Sequence, residues 1–142
     1  MTGALFGLTF AVAVPFWTLM IVLPGWSWTR RIVGSPLIVV PVLAIYAILV
    51  IPALGDLLPV VTNPTLGGVR ELLGSADGAA AAWAHMLAFD LFVGRWIWLD
   101  ARDRGVPQLV LAPILLLTIL FGPLGLAAGL AVRPRWAHEP TA

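Results

Sequence analysis

The chain has 142 residues, of which 61% are hydrophobic and only 11% are charged, and this composition leaves too little polar surface for a soluble globular domain. Eight arginines stand against seven acidic residues, so the net charge of +1 gives no basis for nucleic-acid binding driven by charge. The absence of cysteine excludes disulfides, thiol catalysis and thiolate metal sites.

Four apolar blocks each approach the ~20 residues that a helix needs to cross a bilayer. The predicted spans are residues 3–23, 36–58, 79–99 and 106–132. The first block lacks the basic leader region and cleavage site of a secretory signal, so we expect it to be a spanning helix that stays in the mature protein. Because the loops are short, sequential helices are predicted to pack antiparallel. We therefore expect residues 1–142 to form one all-α integral membrane domain, a four-helix bundle.

A short helix is predicted between the second and third spans. Asn63 and Pro64 fit an N-cap followed by the first helical residue, and the helix should cover about residues 64–73. It is too short to cross a bilayer, so we expect it to lie in the interface over one end of the bundle, where it could act as a lid. Asn63 is therefore a candidate for ligand contact.

The loop arginines give little information on orientation. The first and third loops hold four arginines and the opposite side of the predicted bundle holds three, namely Arg30, Arg31, Arg102 and Arg104 against Arg70, Arg133 and Arg135. This small difference favours both termini outside.

The third span differs from the others because it carries ionisable residues at membrane depth. Asp90 and Arg95 each cost about 2.5–3.5 kcal/mol near the centre of an inserted helix, more than the apolar residues of this span return. We therefore expect this helix to lie inside the bundle with its polar groups facing protein or a hydrated cavity. Asp90 falls nearly at the bilayer centre.

Several side chains are predicted to surround this carboxyl group. Tyr46 in the second span and Thr118 in the fourth fall at nearly the same depth as Asp90. His85 lies five residues before Asp90, a separation that turns a helix by about 140°, so the two side chains cannot face one another squarely. A face of the third span, Arg95 of the same span and one tryptophan of the first complete the candidate ligand contacts, which are His85, Phe89, Phe92, Trp96, Arg95 and Trp17.

Each candidate also has a structural interpretation. Asp90 could be a protonated carboxyl that donates one hydrogen bond as a latch, and His85 could be a packed histidine. Arg95 lies near the membrane edge and can extend its charge to water. The tryptophans could serve only core packing, and Gly125 with Gly129 fits close helix packing.

No cofactor or metal site is predicted. A haem held between two helices would need a second histidine within the membrane, and His138 lies in the tail. The sequence contains no Gly-rich phosphate loop, nucleophile elbow or zinc-binding HExxH motif.

The third span, Trp83-Ala-His-Met-Leu-Ala-Phe-Asp-Leu-Phe-Val-Gly-Arg-Trp-Ile with the following Asp100, resembles the abscisic-acid-deficient, neoxanthin-synthase-like family of small four-helix membrane proteins. The resemblance extends to Pro15-Phe16-Trp17, to residues 63–73 and to residues 117–125. Plant members are associated with converting the epoxide carotenoid violaxanthin to the allenic neoxanthin in plastid membranes. The short, Arg-only, Ala- and Gly-rich chain without a plastid transit segment suggests a bacterial member in an inner membrane.

The resemblance implies a carotenoid or related isoprenoid ligand. Opening an epoxide to an allene changes no overall oxidation state and needs only an acid and a base, so the first hypothesis is a cofactor-independent isomerase with Asp90 as acid and His85 as proton acceptor. The alternative is a non-catalytic carotenoid-binding protein or an accessory to another membrane enzyme. A homo-oligomer is another expected partnership, whereas a small transporter is disfavoured because four helices leave little room for alternating access.

Overall fold

The computed structural model describes residues 1–136, and their regular structure is entirely helical. This confirms the predicted all-α class; His138 lies outside the described residues. The α-helices are α1 Thr2–Ile21, α2 Ser27–Gly34, α3 Val40–Val50, α4 Leu54–Thr62, α5 Leu66–Gly74, α6 Ala76–Asp103, α7 Gln108–Leu120 and α8 Gly122–Val132, with 3₁₀ turns at Pro36–Val39 and Arg133–Trp136.

By length and apolar composition, α1 is the one helix within residues 1–136 that could cross a membrane by itself. Its 20 residues extend about 30 Å, the thickness of the hydrocarbon core. A second candidate exists if α2 and residues Pro36–Val50, which are bent by 75°, are taken as one broken span. The helices therefore provide fewer full-length spans than the four that the sequence predicts, although one such helix supports an association with a membrane.

Proline explains why the second predicted span is not one helix. Residues 36–58 form a 3₁₀ turn, α3 and the first part of α4, with a break at residues 51–53. Pro52 lies in this break, and a proline there has no N–H to donate and clashes with the carbonyl of Ile48. α3 is consequently only 11 residues long.

The fourth predicted span is also two helices. α7 ends at Leu120 and α8 begins at Gly122, and Phe121 between them has φ −147° and ψ 74°, outside the helical region. Pro123 accounts for the break because it cannot continue α7, yet it suits the first turn of α8. Each helix is too short to cross a ~30 Å core.

The start of α5 differs from the prediction in a similar way. Asn63 is the C-cap of α4 instead of the N-cap of α5, and it is exposed. Thr65 caps α5, because its hydroxyl accepts a hydrogen bond from the N–H of Gly68 at 3.1 Å. The predicted short helix between the second and third spans is present, two residues later than expected.

The chain divides into two compact units. Unit 1 contains Met1–Ala13 and Val39–Ala88, and unit 2 contains Val14–Ile38 and the chain from Phe89 onward. In unit 1, the core packs Ile45 and Leu49 of α3 against three small residues of α6, which are Ala80, Ala81 and Ala84.

In unit 2, buried polar contacts tie the end of α1 to α6 and α7. The indole Nε1 of Trp98, which is fully buried, donates to the carbonyl of Met20 at 3.1 Å. The side-chain amide of Gln108 donates to the carbonyls of Met20 and Ile21 at 3.1 and 2.9 Å. These bonds satisfy carbonyls that the last turn of α1 leaves without helical partners.

α7 and α8 form an antiparallel hairpin within unit 2. A Cβ built on Gly125 would lie 2.4 Å from the Cα of Thr118, seven residues earlier, so the chain must turn back sharply between them. A Cβ on Gly129 would lie 3.2 Å from the side chain of Ile97. The close packing predicted for Gly125 and Gly129 is therefore confirmed, and α8 runs alongside α6.

Candidate functional site

Unit 1 contains a pocket of about 370 Å³ that opens between α3, α4, α5 and α6. This volume lies within the usual range of ligand pockets. Its lining is almost entirely apolar and consists of Tyr46, Val50, Leu54, Leu57, Leu58, Val61, Leu72, Leu73, Gly78, Ala81, Ala82 and His85. A pocket of this character suits an apolar ligand with very few polar groups.

Small residues of α6 create this space. Gly78, Ala81 and Ala82 form part of one wall, where larger side chains would fill the pocket. Gly78 must be small because a Cβ there would lie 2.0 Å from the carbonyl oxygen of Leu72. The alanine run at the start of the third predicted span therefore has a function in shaping the pocket as well as in helix packing.

Tyr46 and His85 are the two polar side chains of the lining. Their rings are in contact, with centroids 5.7 Å apart and planes tilted by 55°. Tyr46 is half-buried and His85 is exposed. Both groups can donate and accept a proton, and both were identified from the sequence. The structure brings these two candidates together.

Two aspartates near the pocket were missed by the sequence analysis. A neighbouring cavity of about 180 Å³ shares Leu57, Leu72, Gly78 and Ala81 with the first and adds Asp56, Asp77 and Ser75. Asp56 and Asp77 lie in the first turns of α4 and α6, where the helix dipole favours a negative charge. Correct boundaries for α4 and α6 would have indicated these positions.

Asp90 belongs to unit 2 and lines none of these cavities. Its half-buried side chain packs on α8, where a Cβ built on Gly122 would lie 1.9 Å from Oδ1. The hydroxyl of Thr118, which was expected beside it, donates to the carbonyl of Ile114 in its own helix at 2.8 Å. Thr118 is fully buried, and its role as a polar partner of Asp90 stays a prediction.

Arg95 has a structural role within unit 2. Its Nε donates to the carbonyl of Val33 at 2.8 Å and its Nη2 to the carbonyl of Gly34. These carbonyls end α2, so the guanidinium caps that helix, where the dipole favours a positive charge. These bonds support the structural interpretation of Arg95, and its role as a ligand contact stays a prediction.

The predicted aromatic contacts divide into exposed and packed residues. Phe89 and Phe92 are 58% and 48% exposed. Trp17 is buried against Gly94, where a Cβ would lie 2.3 Å from its ring. Trp96 lies beneath the guanidinium of Arg133 at 5.4 Å from the ring centroid. Trp17 and Trp96 therefore pack the protein interior and its charged end.

Within residues 1–136, no three His, Asp or Glu side chains lie close enough together to hold a metal ion. The ionisable side chains that line the pocket and the neighbouring cavity are Tyr46, His85, Asp56 and Asp77.

Comparison with known proteins identifies the family. The family model described as ABA DEFICIENT 4-like matches residues 4–128, most of the chain. The protein belongs to this family. It is 27% identical over 132 residues to the chloroplastic protein ABA DEFICIENT 4 of Arabidopsis thaliana, a match that covers 89% of this chain and 59% of the plant protein. The resemblance found in the sequence is thus confirmed, and no solved structure matches the chain.

Proposed function

We propose that this member of the ABA DEFICIENT 4-like family is a membrane protein that binds a carotenoid or related isoprenoid in the pocket of unit 1. The observation that carries the proposal is a lining of ten apolar or glycine residues with Tyr46 and His85 as its polar members. An isoprenoid ring would bury its hydrocarbon against the leucines and valines, while a ring oxygen could hydrogen-bond to Tyr46 or His85.

A ligand of this kind would enter from the bilayer. The pocket is open, and a volume of about 370 Å³ holds one end group instead of an entire long polyene. The rest of the ligand's polyene would lie along exposed apolar side chains, at the level of the lipid acyl chains. The length of α1 and the apolar composition support a membrane setting, and the composition favours a bacterial inner membrane.

The contact between Tyr46 and His85 favours a second candidate function, a cofactor-independent isomerase on the same ligand. For an epoxide-to-allene conversion, one group would protonate the epoxide oxygen as its C–O bond breaks, and the other would take a proton from carbon. The proton gained and the proton lost balance, and nothing is oxidised or reduced. Asp90 lies outside the lining, so we assign these roles to Tyr46 and His85.

Filling the pocket tests binding. The protein and its variants would be produced in a carotenoid-forming bacterial host, purified in detergent and extracted for pigment analysis by chromatography and mass spectrometry. Ala82→Leu adds three carbons to the pocket wall and should remove most of the bound isoprenoid. Ala79→Leu is the matched control, because Ala79 is exposed on the same helix and outside the lining. Equal pigment in both variants would contradict the proposed site.

Conversion of the pigment tests the second function. His85→Ala and Tyr46→Phe should each stop conversion while the pigment stays bound, whereas Asp90→Asn should leave conversion intact. If only Asp90→Asn abolishes conversion, the assignment of the acid and base is wrong. If the purified protein binds pigment but never alters it, the non-catalytic role, as a binding protein or an accessory to another membrane enzyme, is the better account.

A further inference from the structure

Charge is unevenly distributed between the two units. The described part of unit 2 carries seven of the eight arginines, which are Arg30, Arg31, Arg95, Arg102, Arg104, Arg133 and Arg135, against three aspartates. Unit 1 carries only Arg70 against Asp56, Glu71 and Asp77. Unit 2 therefore has a clear excess of positive charge that the net charge of the whole chain conceals.

Two ion pairs join α2 and the turn after α8 to the end of α6. Arg30 of α2 pairs with Asp103 at the end of α6 at 2.7 Å. Arg133, which follows α8, pairs with Asp100 on the same stretch of α6 at 2.9 Å. The hairpin formed by α7 and α8 is what returns Arg133 to this end. As a result, α2, the end of α6 and the turn after α8 meet at one end of unit 2.

Three arginines of these segments lack a carboxylate partner within residues 1–136. Arg31, Arg102 and Arg135 are exposed and form no ion pair there. Arg31 lies over the ring of Trp28 at 5.2 Å, and Arg102 lies over the ring of Trp98 at 5.8 Å. Stacking holds these two guanidiniums in place while leaving their N–H groups available to an anion.

Two tryptophans lie close to Arg31 in the sequence, one in α2 and one immediately before it. Thr29 and Val33 are the buried side of this eight-residue helix, and its outer side presents Trp28, which is 51% exposed, beside Trp26, which is 49% exposed. A helix of about 12 Å cannot cross a bilayer. An amphipathic helix with exposed tryptophan and arginine is typical of a segment that lies at the level of the lipid headgroups.

We propose that Arg31, Arg102 and Arg135, together with Trp26 and Trp28, form an arginine face that binds the phosphate headgroups of anionic phospholipids. The inference rests on the membrane setting of the proposed function but not on the isoprenoid pocket, which lies in unit 1. Phosphate accepts hydrogen bonds from guanidinium groups in the geometry that arginine provides. The tryptophan rings explain why the ligand is a lipid, because they partition into the interface beside the headgroups.

Native mass spectrometry of the purified full chain can test this inference. The protein would be mixed in detergent with phosphatidylglycerol or phosphatidylcholine, and retained lipid would be counted. An arginine near an anionic surface strengthens attraction about fivefold. The triple variant Arg31→Gln/Arg102→Gln/Arg135→Gln should therefore lose between tenfold and ~100-fold of its preference for phosphatidylglycerol. Arg70→Gln is the matched control, as it removes an exposed arginine of unit 1.

Several outcomes would overturn the arginine face. Equal retention of the two lipids by the unmodified protein would do so, as would full retention of phosphatidylglycerol by the triple variant. Displacement of the lipid by an excess of inorganic phosphate would show that the site takes free anions instead of headgroups. Circular dichroism would establish that the triple variant is folded. Since pigment content is measured separately, loss of lipid preference with normal pigment would leave the isoprenoid proposal intact.

Discussion

The guanidinium of Arg133 makes a two-pronged contact with the carboxylate of Asp100, with Nη2 2.9 Å from Oδ1 and Nε 3.0 Å from Oδ2. The two residues are 33 positions apart, and Arg104, one turn after Asp100, donates to the same carboxylate at 2.9 Å. Because Arg133 follows α8 and Asp100 lies near the end of α6, this contact fixes the end of the helical hairpin. Its strength and its dependence on pH are both open to measurement.

Removing Arg133, the partner of Asp100 from the far end of the hairpin, should destabilise the protein modestly. The side chains of Arg133 and Asp100 are 40% and 21% exposed, so water screens their attraction, and Arg104 would remain beside the carboxylate. We expect Arg133→Gln to lower the free energy of unfolding by about 1 kcal/mol, measured by thermal or chemical unfolding in detergent. Arg70→Gln should have no effect. A loss in Arg133→Gln no greater than in Arg70→Gln would contradict a stabilising role.

The same carboxylate should make stability fall in acid. Burial acts to raise the pKa of Asp100, but hydrogen bonds and positive charge from Arg133 and Arg104 outweigh it and hold the pKa below its usual value. A lowered pKa means that the folded state binds its proton less tightly than the unfolded state. The resulting stabilisation is complete above about pH 4, the usual aspartate value, and is lost as the pH falls through the folded value.

Asp100→Asn isolates this contribution. The variant should be less stable than the unmodified protein at neutral pH, and the difference should shrink as the pH falls below about 4. Unfolding curves collected between neutral and acidic pH would measure it. Asp103→Asn is a suitable control, because the Arg30–Asp103 pair is 67% and 57% exposed and should contribute little. A constant difference across this range would show that Asp100 acts by packing alone.

The contact of Asp90 with Gly122 predicts a second stability effect. A Cβ at position 122 would lie 1.9 Å from Oδ1 of Asp90, so Gly122→Ala must displace that side chain or α8. Overpacking of this kind costs about 1–3 kcal/mol, more than the gain in helix propensity returns. Combining Gly122→Ala with Asp90→Ala should recover much of the loss. Gly67→Ala, in open space on α5, should be neutral or slightly stabilising in the same unfolding assay.

Apolar block length predicted the all-α class, the motif of the third span carried the resemblance to the family, and residue type marked Tyr46 and His85 as separate candidates, whose contact only the structure shows. Proline positions set the limits of the prediction. Pro52 and Pro123 were inside blocks of spanning length, and each ends a helix that hydrophobicity alone would have continued. Hydropathy measures the free energy of leaving water, but it does not detect a chain reversal inside an apolar block.

The candidate site was predicted incompletely for a related reason. Depth in a straight helix placed Tyr46, Asp90 and Thr118 at one level, but the second and fourth blocks are each broken into shorter helices, so depth counted along one straight helix does not apply to them. Thr118 donates to the carbonyl of Ile114 within α7, and Asp90 lies against Gly122. The alanines that line the pocket carry no polar or reactive group, so no catalytic or binding motif could have identified them. Only their position beside α4 and α5 reveals their effect.

The hairpin of α7 and α8 makes a last prediction about membrane topology. A single fourth span would place Asp103 and Arg135 on opposite sides of the bilayer, whereas the hairpin places both at one end of unit 2. The chain has no cysteine, so Asp103→Cys and Arg135→Cys can be labelled separately without background. In sealed vesicles, a thiol reagent that cannot cross the membrane should react with both variants or with neither. Reaction with one variant alone, and with the other only after the vesicles are opened, would show that the chain crosses the bilayer between these positions.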